Sequence, residues 1–402
     1  MGKAKERSKL RKWCVKNILD GYRWYSRKLA FPAQYKKYSK APVDERKVVF
    51  IEIRFDRLSN SMTLLRDRFE ASSNYDVHEW YLHLYGRDHR AQHDKAMACV
   101  KDIATARYII ICEGTDLIGC LDLRPETYVL QTWHGCGLIK KCGFSTVDTA
   151  FGRDLKTQLK YPLYENMDMV TAASTEEIWT LEDAMNLKGQ GIVKPVGVSR
   201  TDVFFDEDFV RAAKEKLIEV VPLSKEKKTI RYSPTFRGEM KSAASPDALD
   251  IDVMAKALTD EYVLIIKHHP LVKNRPKIPA EWENKFAYDV SDTMNIDGLI
   301  CASDICISDY SSIIYEYSLF ERPIVLFAPD KEEYADKRGM YYDYEELMPG
   351  PIFTDTESLV DYIVHIDKRF DKKRVTEFKN KHMSACDGHA TDRILAEMGA
   401  SL

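Results

Sequence analysis

The sequence predicts an α/β protein of two doubly wound domains that face one another across a cleft, preceded by a basic amphipathic helix. Three observations carry this. Short apolar runs of buried-strand type alternate with helical segments along most of the chain, the pattern of β-α-β units and parallel sheets. In the C-terminal half, three such runs break into loops rich in phosphate-type ligands, which a parallel sheet would gather at one edge. Finally, 402 residues with 45% hydrophobic content suffice for two separate cores.

The first segment, residues 1–45, is distinguished by charge. Residues 1–40 hold thirteen Lys and Arg against Glu6 and Asp20, a local charge of +11 in a chain whose net charge is −3. The remainder is then −14, which argues against nucleic-acid binding by the body of the protein. Leu10, Trp13, Cys14, Asn17, Ile18, Gly21, Tyr22, Tyr25 and Leu29 recur at helical spacing, with Lys and Arg at most other positions. Such a helix suits an anionic membrane surface, with Trp13, Tyr22, Trp24, Lys9, Arg11 and Lys12 as its contacts. Alternatively, it docks on the protein's own domain and leaves a solvated charged face. Phe31-Pro32 is expected to end the helix, and a polar linker runs to Arg46.

No apolar run approaches the length of a membrane span, and the N-terminus lacks the uninterrupted apolar core of a secretory signal or a myristoylation pattern. Nine cysteines, scattered without CxxC pairs, read as reduced core residues of a cytosolic protein.

The first domain is expected over residues 46–195. Its strands are predicted at 47–53, 77–84, 107–112, 128–131 and 168–174, with helices at 57–72 and 94–104. The strand at 128–131 opens into Thr132-Trp-His-Gly-Cys-Gly, a histidine on a tight turn with bare backbone beside it. His134 is therefore a candidate for chemistry, a structural histidine being the alternative.

The second domain is expected over residues 196–402, opening at the turn-rich Val196-Gly-Val-Ser-Arg-Thr-Asp202. Strand 228–233 leads to Pro234-Thr-Phe-Arg-Gly238, and strand 262–266 to Lys267-His-His-Pro270. The densest stretch, 304–327, reads as strand, polar turn, helix start and next strand. There Ser311 and Ser312 stand at the start of a helix, either as phosphate ligands or merely as caps. Arg237, Lys267, His269, Ser311 and Ser312 would surround one anion, opposite His134 across the cleft.

Other constellations are weaker. His89 and His93 have the spacing of a helical metal pair, but no cluster completes it, and a solvated face is the better reading. There is no P-loop, GxGxxG or GxSxG.

Thr132-Trp-His-Gly, Ser233-Pro-Thr-Phe-Arg237, His269-Pro270, Ser308-Asp-Tyr-Ser-Ser312 with Glu316, Arg322-Pro323, and Arg338-Gly-Met-Tyr-Tyr-Asp343 followed by Pro349-Gly-Pro351 occur in this order. Together they resemble the CDP-glycerol glycerophosphotransferase family, whose enzymes make teichoic acids and related capsule polymers. The resemblance spans roughly residues 47–395, and Gly135-Cys136-Gly137 departs from the family's usual His-Gly-Thr-Pro.

The resemblance implies a GT-B fold with the nucleotide on the second domain and a CDP-glycerol or CDP-ribitol donor. The acceptor would be a hydroxyl on a lipid-linked saccharide or growing polymer. It implies His134 as general base, with Arg237, His269, Ser311 and Ser312 on the pyrophosphate. Asp309 would orient a histidine or the serine turn, and Glu316 would take donor hydroxyls. No cofactor and no metal requirement are expected, because side-chain cations supply the positive charge. The enzyme would sit peripherally on the cytoplasmic face of the cell membrane, and a homo-oligomer is compatible with this. The compact length inclines toward a primase or short-chain enzyme. Competing readings are a sugar-nucleotide glycosyltransferase of the same architecture and a non-catalytic nucleotide-binding subunit of a polymer-export assembly.

Overall fold

The computed structural model describes residues 17–83, 89–149, 152–238 and 242–401. Two six-stranded sheets, all parallel where paired, organise the chain. The first contains β1 (Asp44–Glu52), β2 (Asp76–Tyr81), β3 (Ala106–Ile111), β4 (Tyr128–Gln131), β5 (Met169–Thr171) and β6 (Val193–Lys194), in the order β2-β1-β3-β4-β5-β6. The second contains β7 (Lys228–Tyr232), β8 (Tyr262–Ile266), β9 (Ala287–Asp289), β10 (Ile305–Ser308), β11 (Ile324–Phe327) and β12 (Ile352–Phe353), in the order β12-β11-β10-β7-β8-β9. Helices cover both faces, so the central strands are buried on both sides. That is why Val48, Val49, Phe50 and Ile51, or Val263, Leu264 and Ile265, read as continuous apolar runs.

Every predicted strand overlaps an observed one. The three unpredicted strands, β6, β9 and β12, are two or three residues long, and β6, β9 and β12 are outermost in their sheets, too short for any periodicity. In the second sheet the order reverses at β7, with β8 on one side and β10 on the other. The loops after these three strands therefore flank the crevice where open α/β sheets bind ligands.

Two expectations about the ends of the chain are corrected. Pro32 does not end the N-terminal helix. Residues 17–25 are helical, Ser26–Ala30 form a π-helical turn, and the helix resumes over Phe31–Tyr38. Phe31 N–H donates to Ser26 O, five residues back, and Pro32 sits at the start of the resumed helix. There it donates no ladder bond, and the widened turn before it accommodates the ring. This helix is docked, not free. Phe31 and Tyr35 are buried, the Phe31 ring lies 5.5 Å from that of His93, and Arg23 and Arg27 both bond the buried Asp116 at 2.6–2.9 Å.

Likewise, the expected 196–402 unit shares its last helix with the first domain: Ala390 and Thr391 N–H donate to Asp202 at 3.0 and 2.7 Å, but the apolar stripe lies on the first sheet. Ile394, Leu395 and Met398, from and just after helix Ala390–Glu397, pack with Val48, Phe50, Met62 and Phe69 of the first domain. Ser401 N–H donates to the Tyr75 hydroxyl at 3.0 Å. An amphipathic helix will bury its stripe on whichever sheet is left uncovered, and sequence order does not say which.

Candidate active site

In the first sheet, three neighbouring strands end in three interacting side chains. Arg54 follows β1, Glu113 follows β3 and His134 follows β4. Arg54 Nη2 donates to Glu113 Oε2 at 2.9 Å, and Glu113 Oε1 lies 3.4 Å from His134 Nδ1. Glu113 thus stands beside Nδ1 and leaves Nε2 as the ring nitrogen of His134 without a carboxylate neighbour. The His134 ring is about half exposed to the cleft, while Glu113 is 13% exposed. Next to it Trp133 adopts φ +55°, a conformation bulky residues rarely take, and its ring lies 4.2 Å from the imidazole. Gln131 Oε1 accepts the Trp133 N–H at 3.1 Å and pins the turn.

The glycines after His134 have a different reason from the expected one. A Cβ on Gly137 would meet the Tyr315 ring of the second domain at 2.1 Å, so this glycine allows close domain packing. A Cβ on Gly135 would stand 3.4 Å from Ser312 Oγ, which places the histidine turn directly against the serine turn.

From the second sheet, Ser233–Phe236 follow β7, Lys267–His269 follow β8, and Ser311 and Ser312 follow β10. With Arg54, Glu113 and His134 they line one cleft of about 870 Å³, a volume suited to a small-molecule ligand. Ser312 begins the helix Ile313–Ser318 without capping it through its side chain, and Ser311 Oγ accepts the Ile313 N–H only at 3.4 Å, so both hydroxyls can turn to a ligand. His269 Nδ1 accepts the Leu271 N–H at 3.2 Å, which directs the neutral ring's Nε2–H elsewhere. Partial burial, with the nearby cations Lys140 and Arg54, pushes His269 down to about 4, so the ring is an uncharged donor at neutral pH. Lys267 lines the cleft, its ammonium held by the carbonyls of Ser291 at 2.6 Å and Met294 at 2.7 Å, and burial lowers its pKa.

Three predicted donor ligands are placed elsewhere. Arg237 is not on the cleft lining. It forms a bidentate pair with Asp330 at 2.6 and 2.9 Å, bonds Asp309 at 3.0 Å, and lies 5.0 and 4.9 Å from the stacked rings of Tyr310 and Tyr334. Asp309 is buried and accepts from Thr235 N–H at 2.9 Å and Tyr310 N–H at 2.7 Å, so it ties the β7 loop to the β10 turn. Glu316 is buried against Arg200 at 3.2 Å. Periodicity could not distinguish a cleft-facing polar residue from one buried with a partner. Tyr22 packs on His93 with ring centroids 5.2 Å apart, and Trp24 is exposed. Lys9, Arg11, Lys12 and Trp13 lie outside the described residues, as does the side chain of His89.

Sequence reasoning missed Glu113, Arg54 and Arg200. Glu113 carried a usable signal, since it ends a buried-strand run and precedes a glycine, as in the logic applied to His134. Arg200 Nε and Nη2 bond Asp297 at 2.9 and 2.7 Å, and its Nη1 reaches Glu316 and, at 3.5 Å, the His134 carbonyl. Asn60 bonds the other oxygen of Asp297. The Arg338-Gly-Met-Tyr-Tyr stretch straps the segment after His134, with Lys141 N–H donating to Gly339 O and Tyr341 N–H to Ile139 O. Lys140 and Lys141 thereby join Arg54, Arg57 and Lys267 on a lining whose acidic residue is Glu113. That balance favours a multiply charged anion such as a pyrophosphate. Among the described residues, no group of three or more His, Cys, Asp or Glu is placed to hold a metal ion.

The chain is 30% identical over 371 residues to the teichoic acid ribitol-phosphate primase of Bacillus spizizenii, covering 90% of this chain and 94% of that protein. It is 30% identical over 282 residues to the teichoic acid glycerol-phosphate primase of Bacillus subtilis, covering 69% and 70%. It is also 29% identical to the teichoic acid poly(ribitol-phosphate) polymerase of Bacillus spizizenii, of which it spans 58%. Its fold is similar to that of the wall teichoic acid polymerase TagF, with a TM-score of 0.76 over 98% of this chain and 96% of that one, at 22% identity. The family model described as CDP-glycerol:poly(glycerophosphate) glycerophosphotransferase matches residues 33–398, and the chain belongs to that family.

Proposed function

We propose that this enzyme moves glycerol phosphate or ribitol phosphate from a CDP-polyol to a hydroxyl of a lipid-linked saccharide or growing polymer, using a GT-B-like arrangement of its two domains. The observation that carries this reading is the meeting of the Glu113–His134 pair with Ser311, Ser312 and His269 across one cationic cleft. His134 Nε2 takes the proton of the acceptor hydroxyl as its oxygen attacks the β-phosphorus. The P–O bond to CMP breaks, and CMP leaves with charge held by His269 Nε2–H, Lys267 and the two serine hydroxyls. Arg237 and Asp309 act one step back, fixing the loops that carry these groups.

Membrane association at the cytoplasmic face belongs to the same reading. Ile18, Trp24, Tyr25 and Leu29 remain exposed on the docked helix, next to the basic start of the chain. Among the described residues, no helix is long and apolar enough to cross a membrane.

The test is release of CMP from CDP-glycerol and from CDP-ribitol in the presence of a lipid-linked acceptor, with UDP-sugars in parallel. CDP-ribitol is included because one relative matched over nearly its whole length is a ribitol-phosphate primase. Turnover of a CDP-polyol, persisting in EDTA, is the expected result. Consumption of a UDP-sugar with neither CDP-polyol used would overturn the reading.

A further inference from the structure

Beneath the N-terminal helix lies a second cavity, of about 280 Å³, whose lining includes Arg23, Arg27, Asp116 and Arg153. Its charge is unbalanced. Arg23 and Arg27 converge on the single carboxylate of Asp116, at 2.6 and 2.8 Å, and Asp20 is the other acidic group of the lining. Arg153 adds a third guanidinium, and its Nη1 is buried with no hydrogen-bond partner among the described residues. A buried cationic N–H without a partner costs the full desolvation of that group, so the position favours an anionic acceptor of hydrogen bonds.

Position narrows what that anion is. On its inner side the cavity is lined by Ile53 and Gly114, whose next and preceding neighbours, Arg54 and Glu113, line the catalytic cleft. On the outer side, Arg153 leads into the helix Leu155–Lys160, where Leu155 and Leu159 are exposed, and Arg23 lies 4.2 Å over the Tyr161 ring that follows it. The cavity thus stands between an apolar, lysine-bearing outer surface and the base His134.

We propose that this cavity binds a phosphate group of the acceptor through Arg153, the cation left over once Arg23 and Arg27 are set against Asp116 and Asp20, so that the hydroxyl-bearing end of the same molecule enters the cleft. The proposal rests on the reading that the acceptor is a saccharide carried on a lipid phosphate.

Arg153 is the residue to change, since Arg23 and Arg27 also anchor the helix. The full-length enzyme and its Arg153→Gln and Arg153→Lys forms are assayed with a saturating CDP-polyol and two acceptors. One is the saccharide on a lipid diphosphate in detergent micelles, the other the same saccharide on a short alkyl chain without phosphate. For Arg153→Gln the ratio of kcat/KM between the phosphate-bearing and phosphate-free acceptors should fall about tenfold, with Arg153→Lys recovering part of it and the thermal midpoint retained. An equal loss on both acceptors, or none on the phosphate-bearing one, overturns the proposal. A third arm measures co-sedimentation with phosphatidylglycerol vesicles free of acceptor, where Arg153→Gln should bind as the parent does. Loss of vesicle binding in parallel with the kinetic effect would move the site to bilayer headgroups and overturn the acceptor assignment. If the parent enzyme uses neither acceptor, the polyol-transfer reading fails, and this proposal fails with it.

Discussion

His134 illustrates how much of a site depends on one neighbour. Its ring is flanked by Glu113, 3.4 Å from Nδ1, and by the Trp133 ring 4.2 Å away, so Nε2 is the nitrogen that would take the proton in the reaction proposed above. His134→Ala should lower kcat about a hundred- to ten-thousand-fold with the KM for the CDP-polyol nearly unchanged, the loss typical of a general base. Glu113→Gln keeps the shape but removes the carboxylate, and should cost about tenfold or more in kcat, again without weakening the donor. A near-normal rate for either variant in a CMP-release assay contradicts its role. His269 invites a pH test. With its folded pKa depressed below the ordinary 6.5 to about 4, the unfolded chain takes up the proton first as pH falls. Its contribution to stability is then complete above about 6.5 and is lost as pH falls toward 4. A histidine NMR titration of the apoenzyme should show this ring neutral throughout the physiological range, and a midpoint near 6.5 would exclude the environment described for it.

At the scale of elements, the N-terminal helix changes meaning once it is docked. A free amphipathic helix could be removed without touching the cleft, but Phe31 and Tyr35 are core residues and Asp116 is buried under Arg23 and Arg27. A chain beginning at Val43 would lose two large buried aromatics, each worth about 3–5 kcal/mol, and would leave a buried carboxylate without its partners. Such a protein should unfold at markedly lower urea than the parent and lose activity on soluble and membrane-embedded acceptors alike. Full activity on the soluble acceptor would show that the helix is an appendage after all. The β10 turn is built similarly, by a side chain behind it. Arg237→Ala should free Asp309 and Asp330, loosening the Ser311-Ser312 turn. The expected signature is weaker CMP binding together with reduced stability, measured by calorimetry and urea unfolding, whereas a direct phosphate ligand would weaken CMP alone.

For the molecule as a whole, activity depends on two sheets presenting their strand ends to one another. Arg200 lies at the junction, between Asp297 and Glu316 of the second domain and the His134 carbonyl of the first, and Asn60 reaches across to Asp297. Asp297 and Glu316 are nearly inaccessible, at 4% and 2% of side-chain exposure. Arg200→Ala should therefore cost about 3–5 kcal/mol, because both carboxylates would be left buried without their cation. Burial already raises the pKa of Glu316 against the opposing pull of Arg200. Without Arg200 the folded form would bind protons more readily than the unfolded one, so the deficit should shrink as pH falls from 8 to 5. Thermal midpoints of parent and variant across that range test this, and a constant difference would exclude the linkage.

The strand runs, the polar loops at their ends and the order of the motifs were all legible in the chain, because buried parallel strands and strand-end loops differ in composition over four or five residues. By those means the sequence determined an α/β fold with two parallel sheets, placed His134 opposite the serine turn, and put Lys267 and His269 beside it. What it left undecided were partners distant in sequence. Arg237, Asp309 and Glu316 are polar residues next to a site, and only the packing of segments 72 to 116 residues apart assigns them to bracing rather than to ligand binding. The same holds for the helices at the two ends, whose apolar stripes specify that they must be covered and not by which sheet. Tertiary structure alone decided that both cover the first domain, since burial depends on which surface remains open once the sheets have formed.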